Sequence, residues 1–239
     1  MPKARNQQTE QAIRSAAWRL FFDRGFAATS YTDLAEASGV SRSLVQRYVP
    51  KKELLVGWCV AEIRRAATEV CDEAYPQRLG PLERLYLRGQ ASIAAYFACE
   101  GIGRLMLDVL SSRELTQQTI VEGFRWTVEH TLPNRPELHD IDEPDEIVMA
   151  TGGLYELVYV YLFKGRTPDV AAVTLPSVQT FGRVLACQSP QRGWRPTRLP
   201  PTSCKILPSE RSGASPGNAS TAPRMLRFGV VSRVPLGIH

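Results

Sequence analysis

Side chains able to do covalent or metal chemistry are sparse in this 239-residue chain, and their spacing argues against most such chemistry. Cys59, Cys71, Cys99, Cys187 and Cys204 form no CxxC pair and stand at no metal-ligand spacing from His130, His139 or His239. An odd cysteine count behind a polar, basic start with no apolar leader reads as reduced thiols in a cytoplasmic protein. No Ser/His/Asp or Cys/His arrangement is suggested, because His130 and His139 lie in or near a loop without an identifiable partner. Gly101-Ile-Gly103 precedes a helix, but it lacks a third glycine and a preceding strand, so it is no phosphate cradle. Asp140, Asp142, Glu143, Asp145 and Glu146 crowd one loop without the glycine and terminal glutamate of a calcium site, and read as solvated charge. The expectation is no catalytic residue, no metal and no cofactor.

What remains is charge, unevenly divided. Residues 1–55 carry +4, residues 56–187 carry −6 and residues 188–239 carry +7, within a net +5. A basic front on an acidic middle suggests that only part of the molecule faces a polyanion. Arg42, Arg47 and Lys52 cluster in that front, interleaved with Ser41, Ser43, Gln46 and Tyr48.

The elements that must position them read as helices. Ile13, Ala16, Ala17, Leu20 and Phe21 share one face of a helix from about Thr9 to Arg24, stopped by Gly25. Ser30 stands three residues before Asp33, a capping-box-like start for a short helix, Tyr31 to Ser38. Gly39-Val40-Ser41 turns the chain, with serine able to cap a third helix from Arg42 to Val49, and Pro50 ends it. A long fourth helix opens at Lys52-Glu53 and reaches about Tyr75. Two short helices around a glycine-containing turn are what a helix-turn-helix needs, although many helical hairpins share that pattern.

The wider string is more specific: Leu20-Phe21-x-x-x-Gly25-Phe26-x-x-Thr29-Ser30-x-x-Asp33-Leu34-Ala35-x-x-x-Gly39-Val40-Ser41, then Arg47-Tyr48 and Lys52-Glu53-x-Leu55. Over about residues 9–56 it closely resembles the N-terminal domain of the tetracycline-repressor (TetR) family. The resemblance implies an all-α fold, with an N-terminal three-helix DNA-binding domain and a C-terminal helical domain for ligand binding and dimerisation. It places phosphate contacts on Thr29 or Ser30, Tyr48 and Lys52, and base-reading positions on Arg42, Ser43, Leu44, Gln46 and Arg47, with Ser41 at the helix start. The chemistry suits those roles: arginine forks to guanine, glutamine to adenine, and leucine meets the thymine methyl. Hydroxyls and lysine hold phosphates without reading sequence. Ser43, Gln46 and Val49 depart from the family's usual glycine, aromatic and phenylalanine, so no operator sequence carries over.

Beyond the front, apolar residues keep three- and four-residue steps: Leu82, Leu85, Tyr86, Gly89, Ile93, Tyr96 and Phe97; then Ile102, Leu105, Met106, Val109 and Leu110; then Ile120, Phe124, Thr127 and Val128. A helix from about Asp145 to Phe163 is apolar nearly all round and is expected to be buried on several sides. It is too short, and too interrupted by Glu156, to read as a membrane span. A last helix is expected from about Pro176 to Cys187. No long run alternates with period two. Residues 188–239 hold eight prolines, five glycines and seven serines, and read as a disordered basic tail.

The domain reading is 1–55, 56–187 and 188–239. The functional expectation is a cytoplasmic, homodimeric DNA-binding regulator, a repressor released from double-stranded operator DNA by a small, mostly apolar effector. A same-fold regulator controlled by a protein partner, or by nothing, is the alternative. The resemblance implies a cavity among the central helices, for which Tyr96, Met106, Leu110, Phe124 and Tyr155 are the candidate lining. The dimer interface is expected on the last two helices at Leu157, Val158, Tyr161, Val178, Phe181 and Leu185, with Gly152 and Gly153 permitting close approach.

Overall fold

Caps and stops in the sequence set the boundaries of the first helices in the computed structural model, which describes residues 6–75, 79–131, 144–184, 202–205 and 227–230. Asn6 caps α1 (Gln7–Arg24), its side-chain oxygen accepting from Gln8 N at 2.9 Å. Gly25 ends that helix at φ 89°, and a Cβ there would lie 2.7 Å from Asp108 Oδ2, so both its conformation and its space demand glycine. The complete Ser30/Asp33 capping box opens α2 (Tyr31–Ser38), and Gly39 closes it in the left-handed region at φ 68°. α3 runs over Arg42–Tyr48. Ser41 does not cap it as expected; its hydroxyl lies 3.4 Å from that of Ser43 instead.

These three helices close on a small core in which Ile13, Phe21, Leu34 and Val45 are fully buried, with Phe26 edge-on to Phe21 at 5.4 Å. From that head α4 (Glu53–Ala74) runs into a helical body: α5 (Pro81–Ala98), α6 (Glu100–Ser111), α7 (Arg113–Thr131), α8 (Asp145–Phe163) and α9 (Val170–Val184). α4 packs on α5 and α7, α5 on α6 and α9, and α8 on α6, α7 and α9, while α6 also meets α1 of the head. The apolar core runs without a break from head to body through Leu55, Cys59, Ile63, Ile102 and Met106. The fold is all-α, as expected.

Three expectations need correction. The last helix begins at Val170, not near Pro176, which sits inside it. Pro176 and the Ala172 carbonyl it fails to serve both lie on the exposed side, where water can take the missing donor's place. α8 is not buried on several sides. Ile147, Tyr155 and Val158 form its buried stripe, whereas Met149 is 75% exposed, Phe163 71% and Leu157 45%. The basic tail also carries secondary structure at eight positions. β1 (Thr202–Lys205) pairs antiparallel with β2 (Arg227–Val230), placing Thr202 opposite Val230, and the ribbon lies beside α4 and α5. Four-residue strands are too short to show a period of two. The acidic loop through Glu143, His139, Leu185 and Cys187 lie outside the described residues.

Candidate nucleic-acid interface and effector cavity

α3 is fixed from behind and left bare in front. Val45 is its buried anchor on the head core. The Tyr31 hydroxyl donates to the carbonyls of Val49 and Pro50 at 3.0 and 3.2 Å, tying α2 to the end of α3, and burial raises its pKa. The Tyr48 hydroxyl accepts from Asn6 N at 2.8 Å, joining α3 to the start of α1. Asp33, which receives both the Ser30 hydroxyl and the Ser30 amide, also pairs with Arg24 at 2.8 Å. Those hydrogen bonds, led by the Ser30 hydroxyl, then the Ser30 amide and then Arg24, lower its pKa to about 2. Ser41, Arg42, Ser43, Gln46 and Arg47 are exposed, and Leu44 is half-buried beside them. A rigid helix with two guanidiniums, a carboxamide and hydroxyls on one open face can enter a groove and read base edges.

Two of the expected phosphate contacts have other work in this geometry. Thr29 is 1% exposed, and its hydroxyl donates to the Gly25 carbonyl at 2.8 Å. Lys52 turns its ammonium inward, donating to the carbonyls of Phe26 at 2.9 Å and Thr29 at 2.6 Å, over the Phe26 ring at 4.1 Å. Burial lowers its pKa against the pull of Glu53, Asp108 and Asp33. It clamps the α1–α2 connection to the start of α4. The exposed lysine at that corner is its neighbour, Lys51. Ser30 is exposed, though its hydroxyl is held by the capping box.

The same connection is gripped from the body. Asp108 of α6 accepts from the amides of Phe26 and Ala27 at 2.7 and 3.2 Å. Arg104, one turn earlier, donates to the carbonyls of Phe22 and Asp23. The loop after α1 is therefore held by α4 on one side and α6 on the other.

Inside the body, α4, α5, α7, α8 and α9 surround a cavity of about 120 Å³. Tyr96, Phe124 and Tyr155 line it, as expected; Met106 and Leu110 do not, since they pack into the main core beside α6's other apolar residues. Ile93, Leu154, Val178 and Phe181 complete its apolar wall. Burial and the neighbouring Tyr155 push the Tyr96 phenol well above its usual range, so it stays a neutral donor.

Sequence reasoning missed the two arginines in this wall, Arg64 at 9% and Arg88 at 6% exposure. Arg88 donates to the His130 carbonyl, faces Asp72 at 3.4 Å and lies over Trp126; its Nε has no partner among the described residues, and burial lowers its pKa. Arg64 makes one hydrogen bond, from Nη2 to the Thr119 carbonyl at 3.1 Å, and no ion pair among the described residues. Burying such a charge costs several kcal/mol, roughly, even after relaxation. One hydrogen bond from a charged donor returns only about 1.5–3 kcal/mol. Stability alone does not account for Arg64. The signal was there: Val60, Arg64, Ala67 and Cys71 step by four, three and four along one helical stripe, so a cation sits among buried residues.

Of the expected interface residues, Val158, Val178 and Phe181 face the chain's own interior, in its apolar clusters and, for the last two, on the cavity. Leu157 is exposed and Tyr161 half-buried on the outer side of α8, where Met149, Gly153 and Phe163 also lie. Nothing stands within 4 Å of a Cβ built on Gly152 or Gly153. The thiols of Cys59 and Cys71 are buried and in no disulfide, and burial raises Cys71 to about 12, far from nucleophilic range. Among the described residues there is no cluster of metal-ligand type.

The sequence profile of the family described as bacterial regulatory proteins, tetR family, matches residues 13–57. Among solved structures, a TetR transcriptional regulator from Rhodococcus sp. RHA1 superposes with a TM-score of 0.50 at 16% identity, covering 77% of this chain and 98% of that one. The fatty acid degradation regulator FadR from Bacillus halodurans reaches 0.45 at 18% identity, covering 74% and 95%. The transcriptional regulator FadR from Bacillus subtilis, in complex with stearoyl-CoA, also gives 0.45 at 18%, covering 71% and 96%. No curated protein matches the chain.

Proposed function

We propose that the chain, whose residues 13–57 match the tetR family of bacterial regulatory proteins, is a homodimeric repressor of that family, released from its operator when a small, mostly apolar ligand fills the cavity of the helical body. Residues 1–55 act as the DNA-binding domain and 56–187 as the sensing and dimerising domain. The observation that carries this reading is the pairing of an open polar face on α3 with a cavity reached by the same helix, α4, that starts at the head. Arg42, Ser43, Leu44, Gln46 and Arg47 read bases. Lys51, Ser41 and the N-terminal backbone of the head meet phosphates, and the +7 tail adds sequence-independent attraction.

Two-fold operators place half-sites about 34–36 Å apart, which one head cannot span. The outer face of α8 supplies a self-complementary surface: Met149, Leu157 and Phe163 are exposed apolar groups on a soluble fold, and the bare Gly152-Gly153 pair leaves room for a second helix. Filling the cavity shifts α4, which lines it through Arg64 and holds the loop after α1 through Lys52, and so alters the spacing of the two heads. The protein works in the cytoplasm, where its DNA is.

Fluorescence anisotropy with a selected operator tests the DNA reading: Arg42→Ala loses about 1–3 kcal/mol on that site and loosens its preference at one base position. Unchanged affinity and preference in both Arg42→Ala and Arg47→Ala would remove α3 as the reading helix. Sedimentation tests the assembly: the parent is a dimer at micromolar concentration, and Leu157→Glu with Phe163→Glu is a folded monomer.

A further inference from the structure

The polar groups of the cavity say more about its occupant than its size does. We propose that the effector is a small organic monoacid, its carboxylate seated on Arg64 and its apolar body against Phe124, Phe181 and Ile93; this rests on the reading of the protein as a ligand-released regulator.

Arg64 offers five N–H donors in a planar fork, and one of them is used, by the Thr119 carbonyl. Its guanidinium lies over Gly123 of α7. A Cβ built there would stand 3.5 Å from Arg64 Nη2 and 4.0 Å from the Tyr155 hydroxyl, so two donors converge on a surface kept bare by glycine. Thr151 Oγ1, also on the wall, is buried without a hydrogen-bond partner among the described residues. Convergent donors without acceptors are half of a recognition site for an acceptor-only group, which is what an ionised carboxylate is.

The charge count selects a monoanion. Arg88, the other arginine of the wall, already faces Asp72. Arg64 therefore stands as one uncompensated positive charge, matched by one carboxylate and exceeded by a phosphate dianion. The cavity, about 120 Å³, compares with the roughly 150 Å³ dry cavity that accepts benzene, so a single ring or a short branched chain fits. Arg64 also belongs to α4, about 18 Å along that helix from the Lys52 clamp at 1.5 Å per residue. An acid bound there pulls on the element that enters the DNA head.

The test uses the purified full chain, with calorimetric titration of benzoate, its neutral isostere benzamide, hexanoate and inorganic phosphate, and anisotropy for release of operator DNA. A carboxylate binds more tightly than its amide by at least about 30-fold, the weak end for losing one partner of a buried charge pair. Arg64→Gln erases that preference and raises the melting temperature of the ligand-free protein, because an uncompensated buried charge is gone. Arg64→Lys keeps the preference at lower affinity, having the charge without the fork. If Arg64→Gln does not fold, Gly123→Val fills the cradle and must lose benzoate while keeping DNA. Equal binding of acid and amide, a preference that survives Arg64→Gln, phosphate outcompeting benzoate, or no binding of either acid overturns the proposal. Benzoate binding through Arg64 with DNA retained sinks the ligand-release reading and spares the acid site. Release by benzamide without benzoate does the reverse.

Discussion

The head and the cavity are built on opposite accounts of polar groups. In the head nearly every polar side chain behind α3 is spent on the protein itself. Ser30 and Asp33 cap α2, Thr29 and Lys52 hold backbone carbonyls, and Tyr31 and Tyr48 tie the ends of α3 to its neighbours. What is left over is outward and solvated: Arg42, Ser43, Gln46 and Arg47. In the body the residue is inward. Arg64 lacks a carboxylate, and Arg88 Nε and Thr151 Oγ1 lack any partner among the described residues. A satisfied scaffold with an open face suits a surface that must keep its shape against a duplex. An unsatisfied interior suits a site that a second molecule completes, and it stores the free energy by which that molecule biases one state over another.

The largest test of this contrast is in packing. Phe21→Ala removes the fully buried centre of the head and costs about 3–5 kcal/mol by thermal or urea melting, with DNA binding lost alongside. Phe124→Ala, beside space that already exists, costs less and leaves DNA binding in place; equal losses from the two would break the distinction between a tight head and a loose cavity. The clamp comes next. Lys52→Met takes a charged donor from two carbonyls and destabilises the head by about 1.5–3 kcal/mol while leaving the salt dependence of DNA binding nearly unchanged. Lys51→Ala leaves melting alone and lowers the salt slope by about one. The opposite pattern would return Lys52 to the phosphates.

The smallest effects lie at the start of α2. Ser30→Ala costs about 1 kcal/mol of head stability, the usual value of a lost N-cap. Asp33 titrates at about 2 in the folded head rather than at its ordinary 3.8, so its ionised form favours folding. That contribution is full above pH 4 or so, fades as pH falls between those two values, and is gone below both. Amide exchange at α2 followed through that window shows the fade in the parent and its absence in Asp33→Asn.

The head was legible almost residue by residue because its signals are local. Ser30 with Asp33, Gly25 and Gly39 are short-range devices, and they set the ends of α1 and α2 where they were expected. Side-chain roles were less legible, since Lys52 and Thr29 have the same letters whether they face a phosphate or a carbonyl; only the tertiary turn after α1 decides. In the body, helix faces followed from periodicity, and Tyr96, Phe124 and Tyr155 were placed on the cavity. Met106 and Leu110 share the same apolar pattern and point to α6's own core instead. α8 defeated the pattern entirely, because a helix apolar all round does not say which side meets its own chain; Val158 turned inward and Leu157 outward. Pro176 was read as a helix start, the position proline favours, when exposure lets it sit mid-helix. Arg64 was not singled out at all, although its place on the stripe of Val60 and Ala67 marked it.

The most direct test of a two-headed reader is selection of DNA from a random library by the purified full chain, followed by sequencing. The account predicts an enriched two-fold-symmetric site with half-sites about 34–36 Å apart, and a guanine position in each half-site that loses its enrichment in Arg42→Ala. Enrichment of an asymmetric site, no enrichment at all, or a site whose base preferences are indifferent to Arg42, Gln46 and Arg47 alike would contradict it.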